Sequence, residues 1–427
     1  MEQVALAPER AFLVVVDEKR FASWTAEDET AELENLTRTA GVGVAGAVVQ
    51  QRERPDPKTY IGKGKVQELK QSSAAAGATL IIFSEELTPS QQRNLEEIVG
   101  LRVLDRTGLI LDIFAQHAHT KEGKLQVELA QYQYLLPRLR GFGLMWSRTG
   151  GGIGTRGPGE QQLEVDRRRI RRRIQALTKE LARVARERET QRKLRLRTGT
   201  FNVCLVGYTN AGKSSLLNKL TGAGVLVEDK LFATLDSTSR RLDLDRSPPV
   251  VLTDTVGFIH DLPHGLVAAF RSTLDEVRVA DVLLHVVDAS HDQLRREMAS
   301  VLEVLGELGV ADKPRVDVFN KIDLLDETRL QLLRERYPGA AFVSASTGLG
   351  IGELESAIAR AAAAEMVQLS LVVPYAEGGV VRKLHERGSV IAEEHDEHGT
   401  LLTVRMHRDE AGPFAKYAAK GRRHQSA

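Results

Sequence analysis

The chain has 427 residues, of which 42% are hydrophobic and 27% charged, the balance typical of a globular protein with several domains. Its single cysteine, Cys204, excludes an intrachain disulfide and indicates a reducing cytosol. No apolar run is long enough to span a membrane, and the N-terminus lacks the zones of a signal peptide. We therefore expect a cytoplasmic protein without stable membrane insertion.

The net charge of +1 conceals a strong local asymmetry. Residues 166–198 contain 14 Lys or Arg against 4 Asp or Glu, so this segment carries +10 and the rest of the chain −9. A charge run is most often a solvated helix face, but here the acids are too few to neutralise the bases in pairs. The pattern therefore favours contact with a polyanion, and with RNA backbone in particular.

Residues 1–120 alternate strand and helix patterns and predict a small parallel α/β domain. Within it, the loop Tyr60-Ile61-Gly62-Lys63-Gly64-Lys65 is a weak signal for phosphate contact, and a solvated turn that opens the next helix is the simpler interpretation. Strands are predicted at 11–16, 42–49, 79–83 and 101–105, and helices at 31–39 and 91–99.

Residues 121–199 predict an antiparallel helical hairpin with a basic flank. Residues 123–140 have helical spacing, whereas 141–159 are too rich in glycine for regular structure. That tip is either a linker or a loop that orders on a partner. The second helix has apolar residues at the four–three spacing of one coiled-coil seam, namely Ile170, Ile174, Leu177, Leu181 and Val184.

Residues 200–365 contain a complete phosphate-loop pattern between an apolar strand and a helix. Its glycines let backbone N–H groups point inward at phosphate oxygens, and the helix N-terminus adds partial positive charge. Lys213 places a charge near the β- and γ-phosphates, and Ser214 is a candidate Mg²⁺ ligand. The predicted nucleotide-binding residues here are Gly207, Tyr208, Thr209, Asn210, Ala211, Gly212, Lys213 and Ser214.

Three shorter motifs follow in the order of a GTP-binding domain. Asp254 is placed to hold Mg²⁺ through water, and the Gly257 N–H to reach the γ-phosphate. Asp323 can accept two hydrogen bonds from guanine that adenine cannot offer, and the loop at Ala345 can donate to the guanine carbonyl. The motifs are Asp254-Thr255-Val256-Gly257, Asn320-Lys321-Ile322-Asp323 and Ser344-Ala345-Ser346.

A switch segment must supply a hydroxyl that completes the Mg²⁺ shell only when γ-phosphate is present. The candidate segment is Phe232-Ala233-Thr234-Leu235-Asp236, and Thr234 is the predicted source of this hydroxyl. Ser237 and Thr238, just after the segment, are weaker candidates. We therefore predict Ser214 and Thr234 as metal ligands, and Lys213, Thr234 and Gly257 as the catalytic groups.

Phe258 stands where many GTPases have a glutamine that orients the attacking water. We therefore expect slow intrinsic hydrolysis that depends on a partner. Asn210 has two equally weighted interpretations, a ligand of K⁺ beside the phosphates or a loop residue that tolerates a left-handed backbone.

Residues 366–427 predict a small α+β domain. Residues 388–394 and 401–406 are strand-like and are separated by the turn Asp396-Glu397-His398-Gly399. The chain as a whole is therefore predicted to be α/β, with these four regions in succession.

With these motifs in view, the chain closely resembles the HflX family of ribosome-associated GTPases, in the Obg–HflX group. One departure is Gln161, where the family usually has threonine. The residues that carry the resemblance, besides the shared GTPase motifs, are 60–65, 105–107, 110–114, 152–166, 232–236 and 254–259.

The resemblance implies an N-terminal α/β subdomain, a long helical hairpin, a P-loop GTPase domain and a short C-terminal domain. It implies a monomer that binds the large (50S) ribosomal subunit and its RNA in the GTP state and splits stalled or idle ribosomes. Two alternatives stay open: a GTP-gated RNA-binding scaffold, and an ATP-dependent RNA remodeller that uses the N-terminal region.

Overall fold

The computed structural model describes residues 9–17, 24–139, 158–197, 200–224, 230–244, 249–261, 263, 271–397 and 399–419. The glycine-rich segment predicted as the hairpin tip lies outside these residues up to Gly157, as does the side chain of Gln161. The chain divides into two compact units. The first comprises Met1–Arg183, Glu228–Asp236 and His260–Arg271, and the second Val184–Val227, Ser237–Ile259 and Ser272–Ala427.

The first unit contains a four-stranded sheet in the order β2-β1-β3-β4, in which all neighbouring strands are parallel. The predicted parallel α/β arrangement is confirmed. Its strands are β1 (Arg10–Asp17), β2 (Gly43–Gln51), β3 (Leu80–Phe83) and β4 (Arg102–Leu104), and its first helices are α1 (Ala26–Thr39), α2 (Lys63–Ala75) and α3 (Pro89–Val99).

Local sequence fixes where two of these helices begin. Thr25 and Thr88 each accept a hydrogen bond from a backbone N–H of the first turn, and each completes a capping box with the residue three positions on. Such caps satisfy N–H groups that have no partner within the helix. Gly100 ends α3 in the left-handed conformation, at φ +81°.

Three further helices follow: α4 (Arg106–His117), α5 (Lys121–Arg138) and α6 (Pro158–Arg197). The helix α4 was not predicted. In α6 the predicted seam is the more buried side: Leu177 is fully buried, and the other seam residues are partly buried. Arg173 of α6 donates two hydrogen bonds of 2.7 Å to the carboxylate of Glu128 on α5.

Asp105 ties α4 and α5 together. Its buried carboxylate accepts the Gly108 N–H at the start of α4, at 2.8 Å. It also accepts the Tyr134 hydroxyl and the Arg138 guanidinium of α5, each at 2.8 Å. A fourth donor, the Leu87 N–H, lies 3.1 Å away. A buried carboxylate with this many donors is fully compensated, so it fixes the geometry of both helices.

The second unit is built on a six-stranded sheet in the order β10-β9-β8-β5-β7-β6, in which only β6 runs antiparallel to its neighbour. The strands are β5 (Phe201–Gly207), β6 (Thr238–Leu242), β7 (Val250–Asp254), β8 (Val282–Asp288), β9 (Arg315–Asn320) and β10 (Ala341–Phe342). The helices are α7 (Lys213–Thr221), α8 (Arg271–Val279), α9 (Leu294–Glu307), α10 (Glu327–Arg336) and α11 (Ile351–Glu365).

A three-stranded antiparallel sheet follows, in the order β11-β13-β12. The predicted pairing across the Asp396–Gly399 turn is confirmed, because β12 and β13 pair in that register. Its elements are β11 (Met366–Val373), α12 (Gly378–Arg387), β12 (Ser389–Asp396), β13 (Gly399–His407) and α13 (Arg408–Ala411). In the described part of the chain, no helix is long and apolar enough to cross a membrane.

Candidate guanine-nucleotide site

The phosphate loop connects β5 to α7 and can be built only with glycine at two positions. A Cβ on Gly207 would lie 2.2 Å from the Val286 carbonyl oxygen, so β8 passes too close for any side chain. Gly212 has φ +89°, and a Cβ there would lie 2.2 Å from Asn320 Nδ2. The loop is therefore a close-packed cradle rather than a flexible turn.

Lys213 occupies the centre of this cradle and is 5% exposed. Its ammonium donates to the carbonyl oxygens of Gly207, at 3.2 Å, and Tyr208, at 2.8 Å. Burial lowers the pKa of Lys213 to about 8, although the charges of Asp254 and Glu297 oppose that shift. A bound phosphate would restore the charged form, as a buried cation requires a counter-charge.

Ser214, at the start of α7, and Asp254, at the end of β7, bring together oxygen atoms of the kind that bind hard metal ions. The Ser214 hydroxyl donates to Asp254 Oδ2 at 2.6 Å, and Asp254 is fully buried. In addition, the hydroxyl of Thr209 is buried without a hydrogen-bond partner among the described residues. A magnesium ion prefers oxygen ligands and keeps several waters, so this donor set fits one.

The segment after β7 packs directly on the phosphate loop. The Phe258 N–H donates to the Gly207 carbonyl at 3.1 Å, and the Thr209 N–H donates to the Phe258 carbonyl at 2.8 Å. A Cβ on Gly257 would lie 2.8 Å from Thr209 Cα and 2.9 Å from Lys213 Nζ, so this position also requires glycine. The backbone of Gly257 is thus held next to the cradle, and its role as a γ-phosphate donor stays a prediction.

Three side chains in this segment face the protein interior. Thr255 is fully buried and donates its hydroxyl to the Leu205 carbonyl at 2.7 Å, which joins the end of β7 to β5. The Phe258 side chain is also fully buried, and Val256 is 5% exposed. None of these side chains offers a polar group to an attacking water.

Asn320 connects the phosphate loop to the guanine loop. It is 1% exposed, donates Nδ2 to the Ala211 carbonyl at 2.9 Å, and accepts the Ala345 N–H on Oδ1 at 3.0 Å. Both ends of the amide are used within the protein. Asn320 therefore holds the two loops at a fixed spacing.

Asp323, by contrast, is exposed to solvent. A hydrogen bond from Ser344, followed by the Asp323 N–H, Ser346 and the charge of Lys321, holds the pKa of this carboxyl below its usual value. Lys321 itself has φ +63° and pairs with Asp288 at 2.7 Å. The motif therefore presents an ionised carboxylate from a rigid turn, which suits two N–H donors on one edge of a base.

Asn210 lies in the phosphate loop with φ +61°. This is the left-handed conformation that asparagine tolerates better than most residues, so the predicted left-handed backbone of Asn210 is confirmed. Its role as a K⁺ ligand stays a prediction.

The predicted switch residues 232–236 belong to the first compact unit rather than to the unit that contains the phosphate loop. There Phe232 and Leu235 are each 2% exposed, and the Phe232 ring meets the edge of Phe114 on α4 at a centroid distance of 4.8 Å. The Asp236 carboxylate accepts hydrogen bonds from His119 and Thr120, at the start of α5. Sequence reasoning did not identify these partners.

A second candidate site in the first unit is a basic cleft of about 510 Å³ at the N-terminus of α3. Arg167 and Arg171 of α6 line it and pair with no carboxylate among the described residues. The cleft is lined by Pro89, Ser90, Arg93, Leu136, Pro137, Arg138, Arg167 and Arg171. Because Arg138 pairs with Asp105 and Arg93 lies 3.8 Å from Glu97, the guanidinium groups of Arg167 and Arg171, together with the helix N-terminus, make the cleft a place for an anion.

Comparison with known proteins identifies the chain. Three family profiles match successive regions: "GTP-binding GTPase N-terminal" over residues 27–115, "GTP-binding GTPase Middle Region" over 117–195, and "50S ribosome-binding GTPase" over 202–321. The GTPase HflX of Caldanaerobacter subterraneus is 48% identical over 406 residues, which cover 95% of this chain and 93% of that protein. The chain belongs to the HflX family. It is therefore a GTPase.

The HflX relatives extend over a wide range of bacteria. The GTPase HflX of Escherichia coli is 45% identical over 383 residues, covering 89% of this chain and 90% of that protein. Among solved structures, a GTP-binding protein from Sulfolobus solfataricus in complex with GDP is 28% identical, covers 83% of this chain and 99% of that one, and has a TM-score of 0.41.

Proposed function

We infer that this HflX-family GTPase binds the large ribosomal subunit in its GTP form and separates stalled or idle ribosomes into subunits. One observation carries the proposal: a guanine-nucleotide site and a strongly basic helix occur in one chain, and α6 exposes Arg168, Arg169, Arg171 and Arg172 to solvent. A family profile described as "50S ribosome-binding GTPase" matches residues 202–321 and supports the same partner.

The RNA contact is assigned to the basic cleft and the adjacent face of α6, within a helical hairpin formed by α5 and α6. Guanidinium groups bind phosphate oxygens with two parallel hydrogen bonds, and each neutralised phosphate releases a counterion. The Arg173–Glu128 pair holds the hairpin at its flank rather than contributing to RNA binding, because its charge is already compensated.

At the nucleotide site, Asp323 selects guanine and the phosphate loop with Lys213 holds the β- and γ-phosphates. Ser214 and Thr234 would hold a magnesium ion, which neutralises phosphate charge when it is bound. Gly257 donates its N–H to the γ-phosphate, and this contact is lost after hydrolysis. Hydrolysis thus resets the affinity for the ribosome. We further propose that the protein acts as a cytosolic monomer.

Ribosome sedimentation with GTP, a non-hydrolysable GTP analogue, or ATP tests the proposal. We expect 70S ribosomes to separate with the analogue as well as with GTP, because binding rather than hydrolysis supplies the work. Binding without separation would favour a GTP-gated RNA-binding scaffold. A requirement for ATP would favour an RNA remodeller that uses the N-terminal unit.

A further inference from the structure

The carboxylate of Asp236 is bound at the start of α5. It accepts the His119 N–H at 2.9 Å, the Thr120 N–H at 2.7 Å, and the Thr120 hydroxyl. Thr120 is also the residue that caps α5, because its Oγ1 accepts the Gly123 N–H at 3.0 Å. Asp236 therefore sits at the positive end of an 18-residue helix, where three donors converge on a negative charge.

Gly123 leaves the space that this contact needs. A Cβ at Gly123 would lie 2.1 Å from Asp236 Oδ1 and 3.0 Å from its Cγ, closer than any real contact. Gly123 has a helical backbone rather than a positive φ, so its own conformation does not require glycine. Glycine, a poor helix former, is therefore explained at this position by the approach of Asp236.

Apolar contacts hold the other side of the same segment. Phe232 and Leu235 are buried, and the Phe232 ring packs on Phe114. Phe232 also has φ +56°, an uncommon conformation for an aromatic residue, which persists only where surrounding contacts impose it. The residues on both sides of Thr234 are thus held in place, Phe232 and Leu235 by burial and Asp236 by hydrogen bonds.

We propose that Asp236 is a positioning residue for GTP hydrolysis, and that Thr120 and Gly123 form its receptor. Contacts within the first compact unit fix the segment 232–236, and with it the predicted γ-phosphate sensor Thr234. This inference rests on the proposed role of Thr234. It assigns Asp236 to the start of α5 and not to the nucleotide, since three donors already occupy its carboxylate.

Thr234 contacts the nucleotide only when a γ-phosphate is present, so loss of its positioning weakens binding of a GTP analogue but not of GDP. A general loss of structure would weaken both ligands together. The ratio of the two dissociation constants therefore separates positioning from folding.

The test measures dissociation constants for GDP and a non-hydrolysable GTP analogue, and single-turnover GTP hydrolysis, in variants on both sides of the contact. In Asp236→Asn, Gly123→Ala and Thr120→Val, we expect the analogue-to-GDP affinity ratio and the hydrolysis rate each to fall about tenfold, with GDP affinity nearly unchanged. Thr120→Ser keeps the hydroxyl and should behave as wild type. Gly306→Ala is a matched glycine control, because Gly306 is an exposed helical residue with nothing within 4 Å of its added Cβ.

Thr234→Ala, measured in parallel, distinguishes the two levels of inference. If Thr234→Ala lowers the ratio and Asp236→Asn does not, Asp236 is not a positioning residue, and the role of Thr234 stands. If Thr234→Ala leaves the ratio unchanged, both assignments fail. An increased hydrolysis rate in Asp236→Asn would also overturn the proposal, because it would show that the contact slows hydrolysis instead of supporting it.

Discussion

Asn320 donates its side-chain amide to the Ala211 carbonyl oxygen at 2.9 Å, which links the guanine motif to the phosphate loop. The same amide accepts the Ala345 N–H, so one buried residue sets the distance between the phosphate and base subsites. A nucleotide that spans both subsites then binds to a preformed site rather than to two independent loops.

Asn320→Ala should lower GDP affinity by at least about tenfold, because it leaves a buried carbonyl and a partly buried N–H without partners. The preference for guanine over adenine should remain, since Asp323 is intact. Equilibrium titration with GDP and ADP measures both quantities. Asn94→Ala is the control, because Asn94 makes a similar amide-to-carbonyl hydrogen bond at an exposed site. Equal affinities of Asn320→Ala and wild type for GDP would contradict the linking role.

Asp323→Asn should weaken GTP binding strongly and reduce the preference for guanine by up to about 10⁴-fold, because paired polar contacts in a site built around them discriminate on that scale. Xanthine has a carbonyl where guanine has its exocyclic amino group. The asparagine amide can donate to that carbonyl, so affinity for xanthosine diphosphate should rise. Asp312→Asn, at an exposed position, should change neither affinity. A variant that keeps its selectivity for GTP over ATP would refute the guanine assignment.

Nucleotide affinity should decline above about pH 8, where Lys213 loses its proton in the free protein. Binding then requires proton uptake, so affinity should fall by up to about tenfold per pH unit. The variant Lys213→Met should bind nucleotide more weakly, and its affinity should not depend on pH in this way.

The stability of the free protein should change in the opposite direction. The folded-state pKa of Lys213 lies below the ordinary value of 10.5, so the cost of burying the charge is greatest below pH 8. For the protein alone this residue therefore adds stability as the pH rises from 8 toward 10.5, opposite in sign to its effect on binding.

Charge reversal at Arg167, Arg168, Arg171 and Arg172 should abolish ribosome binding and leave GDP affinity unchanged. Wild-type binding should also weaken steeply with salt, because phosphate contacts release counterions. The pair Arg167→Glu and Arg171→Glu isolates the basic cleft, and Arg334→Glu with Arg336→Glu on the exposed face of α10 is the matched control. If the fourfold variant still co-sedimented with ribosomes, the RNA-binding role of α6 would be wrong, and its basic face would be an ordinary solvated helix surface.

Free protein should hydrolyse GTP slowly, and the 50S subunit should accelerate it, because the buried Phe258 offers no group to orient water. Phosphate release with and without 50S particles, in K⁺ or Na⁺, measures the effect. A modest advantage of K⁺ that disappears in Asn210→Ser would assign the cation to Asn210. Fast turnover of the free wild-type protein would contradict the inference that the site lacks a group to orient water. An equal K⁺ response in Asn210→Ser would leave Asn210 with its conformational role alone.

The sequence predicted the features that depend on short spacings. The strands β1, β3 and β7 were recognised from apolar runs, α3 from its Thr88 cap, and the cradle from two glycines before Lys213. In each case the determining atoms lie within a few residues of one another, so the pattern is visible in the chain.

The features that were missed depend on contacts between distant residues. Asp236 meets Thr120 across 116 positions, and Asn320 meets Ala211 across 109. No periodicity records such pairs, and the sequence placed Asp236 in the predicted switch segment without indicating its contact with α5. The buried Asp105 likewise joins α4 to α5 through Tyr134 and Arg138, which lie 29 and 33 positions away in the sequence.

Cys204 has a consequence for the study of this protein. It is 1% exposed, and burial raises the pKa of its thiol well above the usual value. Alkylating reagents attack the thiolate, so the natural chain is nearly silent toward maleimides. A cysteine introduced at Val165, which is 56% exposed on α6, would therefore be the single reactive thiol. A fluorophore attached there would report the proposed binding of RNA in real time, without removal of the native cysteine.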